Sequence, residues 1–193
     1  ASHIRSLFVA GRRATRARSP RADAERPYLR VAGAVLDGAG RPVGVRLDAA
    51  DLPAGSLAGA EIVLLTSWAS TRRSVESVDR RTGEVRLAPP HLRRFRSLMP
   101  RRGQACYFDR VARGPREAGE WSVERTSGEI LYRPRPGERR GEVEAIVPVL
   151  TEVLIVEGAP GEPVRNLHFR GLAFCHAAWS LPPEGYLGRQ AGF

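Results

Sequence analysis

The sequence has no lysine, and Asn166 is the one asparagine among its 193 residues. Cysteine appears twice and methionine once. No stretch approaches the roughly 18 consecutive apolar residues that a membrane-crossing helix needs, so no such span is expected. The first residues lack the basic, apolar, small-residue order of a secretory leader. Cys106 and Cys175 lie far apart, and neither belongs to a C-x-x-C pair or a zinc-type Cys/His spacing. A bound metal or other cofactor is therefore not expected. Cysteine packs as a small apolar group, so both thiols read as free and buried, with a disulfide left open. A nucleophile elbow, a phosphate loop and a dinucleotide fingerprint are absent as well.

Positive charge is what the chain has in excess. There are 31 basic and 21 acidic residues, a net charge of +10 and a pI near 11.1. Such a balance suggests a polyanion binder. Every one of those basic residues is Arg, while Ala, Gly and Pro are abundant, which is the pattern of GC-rich coding DNA. The arginines are also scattered: "GRRATRARSPR", "DRRTG", "LRRFR", "PRRG", "GERRG". They build no long basic helix, and aromatics do not interleave with them as base-stacking platforms would require. Nucleic acid is therefore not the expected partner, and a polyanion binder stands as a second alternative.

Helical periodicity is nearly absent. Short alternating runs between Gly, Pro and Asp dominate, which is an all-β pattern. His3 to Gly11, Tyr28 to Gly38 and Val43 to Pro53 each read as strands. The continuous apolar run from Ala60 to Trp68 reads as a central strand buried on both faces. Two hairpins share one design, "SVESVDRRTGEVRLAPP" (Ser74 to Pro90) and "EWSVERTSGEILYRPRPGE" (Glu120 to Glu138). Each has a strand, a polar turn closed by Gly83 or Gly128, and a second strand stopped by prolines that cannot donate to a ladder. His91 to Gly103 reads as a short helix or an irregular loop. Glu142 to Gly158 reads as two strands around Pro148. Together these predict an antiparallel β-sandwich of roughly eight short strands. Beyond Gly158 the pattern changes. Leu167 and Phe169, a Gly171 bend, then Leu172 and Phe174 describe one coil of a parallel β-helix.

Several separated motifs resemble bacterial right-handed parallel β-helix proteins related to glycoside hydrolases. The tail carries Phe169, Gly171, Leu172, Phe174, His176, Trp179, Pro182, Gly185, Tyr186 and Gln190 in that family's order. Leu7 to Arg18 carries a second motif, with Ala10 where the family has Asn or Asp in the turn. Trp68 with Arg72, Val78 to Gly83, Gly119 to Trp121 and Ser127 to Tyr132 also fit, whereas Asp109 to Gly119 is basic where relatives are acidic. The resemblance implies a β-sandwich-like insert joined to the first coil of the β-helix. Residues 1–18 would be a lead-in strand, 19–160 the insert, and 161–193 the start of the helix. It implies a secreted or periplasmic protein acting on a polysaccharide or oligosaccharide. One coil cannot bury its own apolar face, because about three repeats are needed. The chain is thus expected to be an N-terminal fragment, inactive alone, with catalytic acids elsewhere. A non-catalytic carbohydrate-binding or adhesion protein is the alternative.

Strand parity argues against a metal at His168, Cys175 and His176, since neighbouring side chains point to opposite faces. Glu162 and Glu184 are the acids of the coil region, but "PGEP" and "PPEG" are turn contexts where solvated Glu is ordinary. Asp79 and Glu124 sit in hairpins as surface charges. The candidate substrate-binding residues are His176, Trp179, Tyr186 and Gln190. Aromatic rings stack on sugar faces, and His or Gln hydrogen-bonds hydroxyls. Against this, Trp179 and Tyr186 suit a hydrophobic cap. Arg12, Arg13, Arg16 and Arg18 suit bidentate binding of uronate carboxylates, but pairing with acids across the sandwich–solenoid joint, or plain solvation, is the favoured reading.

Overall fold

The structure is a computed structural model that describes residues 4–66, 69–89, 100–111, 114–124 and 127–180. The described chain is all-β. Its strands are β1 (Phe8–Val9), β2 (Arg12–Arg13), β3 (Thr15–Arg16), β4 (Arg18–Ser19), β5 (Leu29–Arg30), β6 (Gly33–Leu36) and β7 (Pro42–Arg46). They continue as β8 (Glu61–Leu65), β9 (Ser70–Asp79), β10 (Glu84–Leu87), β11 (Ala105–Asp109), β12 (Glu120–Val123), β13 (Ile130–Tyr132) and β14 (Ala145–Ile146). Three sheets result.

The largest sheet has eight strands in the order β4-β11-β8-β9-β10-β7-β6, with β5 also beside β11. Its hinge is the ten-residue β9. Ser70–Ser74 pair with β8, and Val75–Asp79 pair with β10. A strand that serves two partners in succession carries the chain from one half of a sheet to the other. Inward residues of both halves meet in one cluster: Val45, Val85 and Leu87 from one side, Ile62, Leu64, Cys106 and Phe108 from the other. The predicted central strand is β8. It lies between β11 and β9, and its apolar residues face both ways because Ile62 and Leu64 enter the cluster while Val63 is buried on the opposite face.

Both predicted hairpins form, and their turns use the same bonds. Gly83 N–H donates to Asp79 O at 2.9 Å, and Gly128 N–H donates to Glu124 O at 3.0 Å. Both glycines have φ of +75°, a conformation that L side chains resist. Their strands go to different places. β9–β10 belongs to the large sheet, whereas β12–β13 joins β3 in a separate three-stranded sheet, with β12 and β3 parallel. There Trp121 packs with Leu7, Val9 and Ala14 in a second apolar cluster, flanked by Ile130, Val143 and Val147. The third sheet, β14-β1-β2, covers this cluster.

The β1–β2 hairpin turns on Ala10 (φ +49°) and Gly11 (φ +69°). Two left-handed residues are what a two-residue hairpin of this twist requires. Ala10 is the poor fit, because its Cβ opposes that conformation while Asn tolerates it. Ala10→Asn is expected to raise stability by about 1 kcal/mol, read as a higher denaturation midpoint at unchanged slope.

After β14 the described residues form no solenoid sheet. Of the two strands expected around Pro148, only the two-residue β14 is present, before that proline. Up to residue 180 the chain carries one isolated bridge, Ala159 with Glu162. Two features still give this segment a regular course. Ala178 N–H donates to Leu150 O at 2.7 Å, which brings the segment back alongside its own beginning. Asn166, Gly171 and His176 all have positive φ, of 60°, 67° and 62°, at five-residue intervals. The sequence follows the same interval, with Leu167 and Phe169 after the first bend and Leu172 and Phe174 after the second. These four residues are all exposed, as is Trp179 after the third bend.

Candidate functional site

Of the four candidate substrate-binding residues, His176 and Trp179 lie within the described residues. Tyr186 and Gln190 lie outside them, as do Glu184, Trp68 and residues 91–99 of the predicted helix or loop. Parity with Phe174 casts His176 as an ordinary strand residue, but its positive φ puts it at a bend in line with Asn166 and Gly171. Its ring lies 4.5 Å from that of Phe8, centre to centre, at a tilt of 55°. Trp179 lies beneath the guanidinium of Arg5, 5.7 Å from the ring centre, within cation–π reach. Both residues thus touch the lead-in segment, and their first role is to hold the tail against it. Trp179 keeps 47% of its surface exposed, so one side remains open.

Arg5 leads from Trp179 to a network of charged side chains around Glu61. Glu61 opens β8 and is 1% exposed. Its Oε2 accepts from Arg5 Nη1 at 2.7 Å and from Arg72 Nη1 at 2.9 Å, while Oε1 meets Arg110 Nη1 at 3.3 Å. Asp109 is the register partner of Glu61 on β11. The same Arg72 nitrogen donates to Asp109 Oδ2 at 2.5 Å, and Arg16 Nε lies 3.4 Å from Oδ1. Arg16 also stands over the Trp121 ring at 5.3 Å. This network joins the two apolar clusters: Arg5 and Arg16 come from the lead-in side, Glu61, Arg72 and Asp109 from the large sheet. Of the arginines from Arg12 to Arg18, Arg16 pairs with an acid of the large sheet, Asp109. Arg18 instead lies over Tyr107 and Tyr28, at 4.3 and 5.0 Å, and donates to Pro27 O.

Burial pushes the Glu61 carboxyl upward, but Arg5 and Arg72 outweigh it and hold the group at about 2. For Arg72, burial pulls downward, and Asp109 and Glu61 more than restore it, leaving the guanidinium above its ordinary value. Arg16 is the reverse case. Burial lowers it, Arg5 and Arg110 add to the lowering, and Asp109 with Glu61 does not fully offset them. An acid fixed near 2 stays ionised and cannot protonate a leaving group near neutrality. Glu61 and Asp109, each bound to guanidiniums and sharing one, do not form the acid–nucleophile pair of a glycosidase.

A recess of about 740 Å³ opens beside the Trp121 cluster. Leu7, Val9, Ile130, Val143 and Val147 give it an apolar wall, and Glu138 stands among its lining residues. Glu138 is held below its usual range by the Tyr132 hydroxyl at 2.6 Å and by the backbone and guanidinium of Arg135. Glu162 sits at its turn bridge, apart from both places. Among the described residues no group of three or more His, Cys, Asp or Glu converges as metal ligands. Both cysteines are free. Cys106 is buried in the large cluster, where desolvation pushes its thiol up to about 12. Cys175 is exposed, contrary to the expectation of a buried thiol, because the coil around it covers neither face.

Sequence spacing does not reveal which residues surround Glu61. The partners of Glu61 lie 56, 11 and 49 positions away. The one available signal is a Glu at the head of an otherwise apolar strand.

Among the described residues no helix is long and apolar enough to cross a membrane. No protein-family model and no curated protein matches the sequence. A solved structure described as "Glycoside hydrolase" is similar in fold, with a TM-score of 0.76 and 23% sequence identity over 91% of this chain. The chain spans 32% of the length of that protein. In fold, then, these residues are similar to about a third of a glycoside hydrolase.

Proposed function

We propose that the chain is the N-terminal part of a secreted or periplasmic, carbohydrate-active protein built on a right-handed parallel β-helix. The folded-over sheet of residues 19–160 is its inserted domain, and the segment from 161 is its opening coil. The carrying observation is the similarity in fold to a glycoside hydrolase over nearly the whole chain. The apolar row of the tail supports it. Leu167, Phe169, Leu172 and Phe174 recur at five-residue intervals and lie exposed, as do Val149, Leu150 and Ile155. A following coil stacked on that row would bury it, at roughly 25 cal/mol per Å² of apolar surface covered.

The substrate on this reading is a polysaccharide or oligosaccharide, contacted by Trp179 and, beyond the described residues, by Tyr186 and Gln190. The acids that cleave the bond are carried by other coils, since Glu61 and Asp109 are committed to guanidiniums. The test is a polysaccharide panel offered to the protein extended through its downstream reading frame, with products resolved by chromatography. Release of oligosaccharides by the extended protein, and none by residues 1–193, is the expected result. Binding without release would favour the carbohydrate-binding alternative. Absence of both would remove the carbohydrate reading.

A further inference from the structure

The sheet β13-β12-β3 ends in β13, which among the described residues has β12 on one side and no strand on the other. Its ladder shows which backbone groups stay open. Glu124 N–H donates to Glu129 O at 2.8 Å, and Arg133 N–H donates to Glu120 O at 2.9 Å. Hydrogen-bonded and non-hydrogen-bonded pairs alternate along an antiparallel ladder. Leu131 therefore bonds to its register partner Ser122, while Ile130 and Tyr132 turn their N–H and C=O groups away from β12. Open space borders the strand, since Ile130, Leu131 and Tyr132 all line the recess. The side chains alternate as well. Ile130 and Tyr132 pack against the Trp121 cluster, and Glu129, Leu131 and Arg133 form an exposed row on the opposite face.

That row runs acid, apolar, base, and it is complementary to itself when reversed. We infer that β13 is a contact between two copies of this chain, paired strand to antiparallel strand about a twofold axis at Leu131. In that register Ile130 stands opposite the other copy's Tyr132, and the open N–H and C=O groups of each meet those of the other. Leu131 meets its own copy across the axis as a non-hydrogen-bonded pair, the setting in which side chains stand closest. Its side chain, 39% exposed in the single chain, is covered there. Glu129 falls opposite Arg133 at both ends. Opposite charges that face each other across a ladder stabilise it, and like charges oppose it. Charged residues on an edge strand ordinarily keep copies apart. Here their signs differ, so they attract a copy in this register. A slip of one residue sets open backbone groups against ones already bonded, and a slip of two separates both charge pairs.

Sedimentation velocity of the 193-residue chain tests this, from about 1 μM to 1 mM, the range of a small contact. A dimer whose share rises with concentration is expected. Glu129→Arg sets like charges opposite each other at both ends, and Leu131→Asp sets two carboxylates face to face at the axis. Each is expected to weaken the dimer at least about tenfold. Adding Arg133→Glu to Glu129→Arg exchanges the two signs and is expected to bring association back to within about threefold of the original. That recovery, which no misfolded chain would give, keeps the test decisive if a single variant folds poorly. Phe174→Ser, in the exposed apolar row of the tail, is expected to leave the dimer unchanged. A chain that stays monomeric throughout overturns the contact. So does a dimer indifferent to Glu129→Arg and Leu131→Asp, and its loss in Phe174→Ser would place the association at the tail. Absence of recovery in the double exchange overturns the register.

Discussion

Glu61→Ala is expected to cost about 3–5 kcal/mol of stability, the range for removing one partner from a buried ion pair. The size comes from what stays behind. Arg5, Arg72 and Arg110 all reach Glu61, and the substitution takes from all three the carboxylate that they share. Glu61→Gln keeps the shape and removes the charge, so it separates the ionic part from packing. It also has a pH signature. The folded carboxyl lies at about 2, below its ordinary 4.5. A depressed acid contributes its full stability above the ordinary value and loses it as pH falls toward the folded one. The unmodified protein is therefore expected to lose stability as pH falls from about 4.5 toward 2, and Glu61→Gln to lose markedly less over that window. Urea midpoints measured across it check the point. Parallel curves for the two proteins would show that Glu61 is not held by these guanidiniums.

How much of this was legible in the sequence depends on range. The two hairpins were readable because a period of two, a Gly and a terminal proline act within a dozen residues. β8 was readable as a central strand from its unbroken apolar run. Where each hairpin docks was not readable. "GEVRL" and "GEILY" look alike, yet one pairs into the large sheet and the other beside β3, a choice set by apolar partners such as Leu7 and Val9 more than a hundred residues from Ile130. The tail was half legible. The Gly171 bend was evident, because glycine advertises positive φ, but the matching bends at Asn166 and His176 were not. Histidine looks like a ligand before it looks like a corner. With a bend every five residues, strand parity carries only a few positions before it resets, so it assigned His176 to the wrong setting. Trp179 stood out in the sequence as an aromatic of the tail, and in the structure its ring lies under Arg5. Its neighbour Arg5 and, through it, Glu61 became visible only in three dimensions.

Trp121 is where the smaller of the two cores is most exposed to a single change. It is 1% accessible and packs with Leu7, Val9 and Ala14, so its indole is the largest apolar body in that cluster. Truncating a buried Trp leaves a void that short strands cannot collapse into, and Trp121→Ala is expected to cost about 3–5 kcal/mol. The two- and three-residue strands around it have few ladder bonds to hold the sheet once packing is lost. The loss should therefore be local first. Amide exchange is expected to speed up across β1, β12 and β13 while β8 and β9 keep their protection, because their cluster has Phe108, Ile62 and Leu64 of its own. Arg16 also loses the ring beneath it, and its contact to Asp109 is already long. Uniform loss of protection in both clusters would instead mean that the charged junction makes them unfold as one unit.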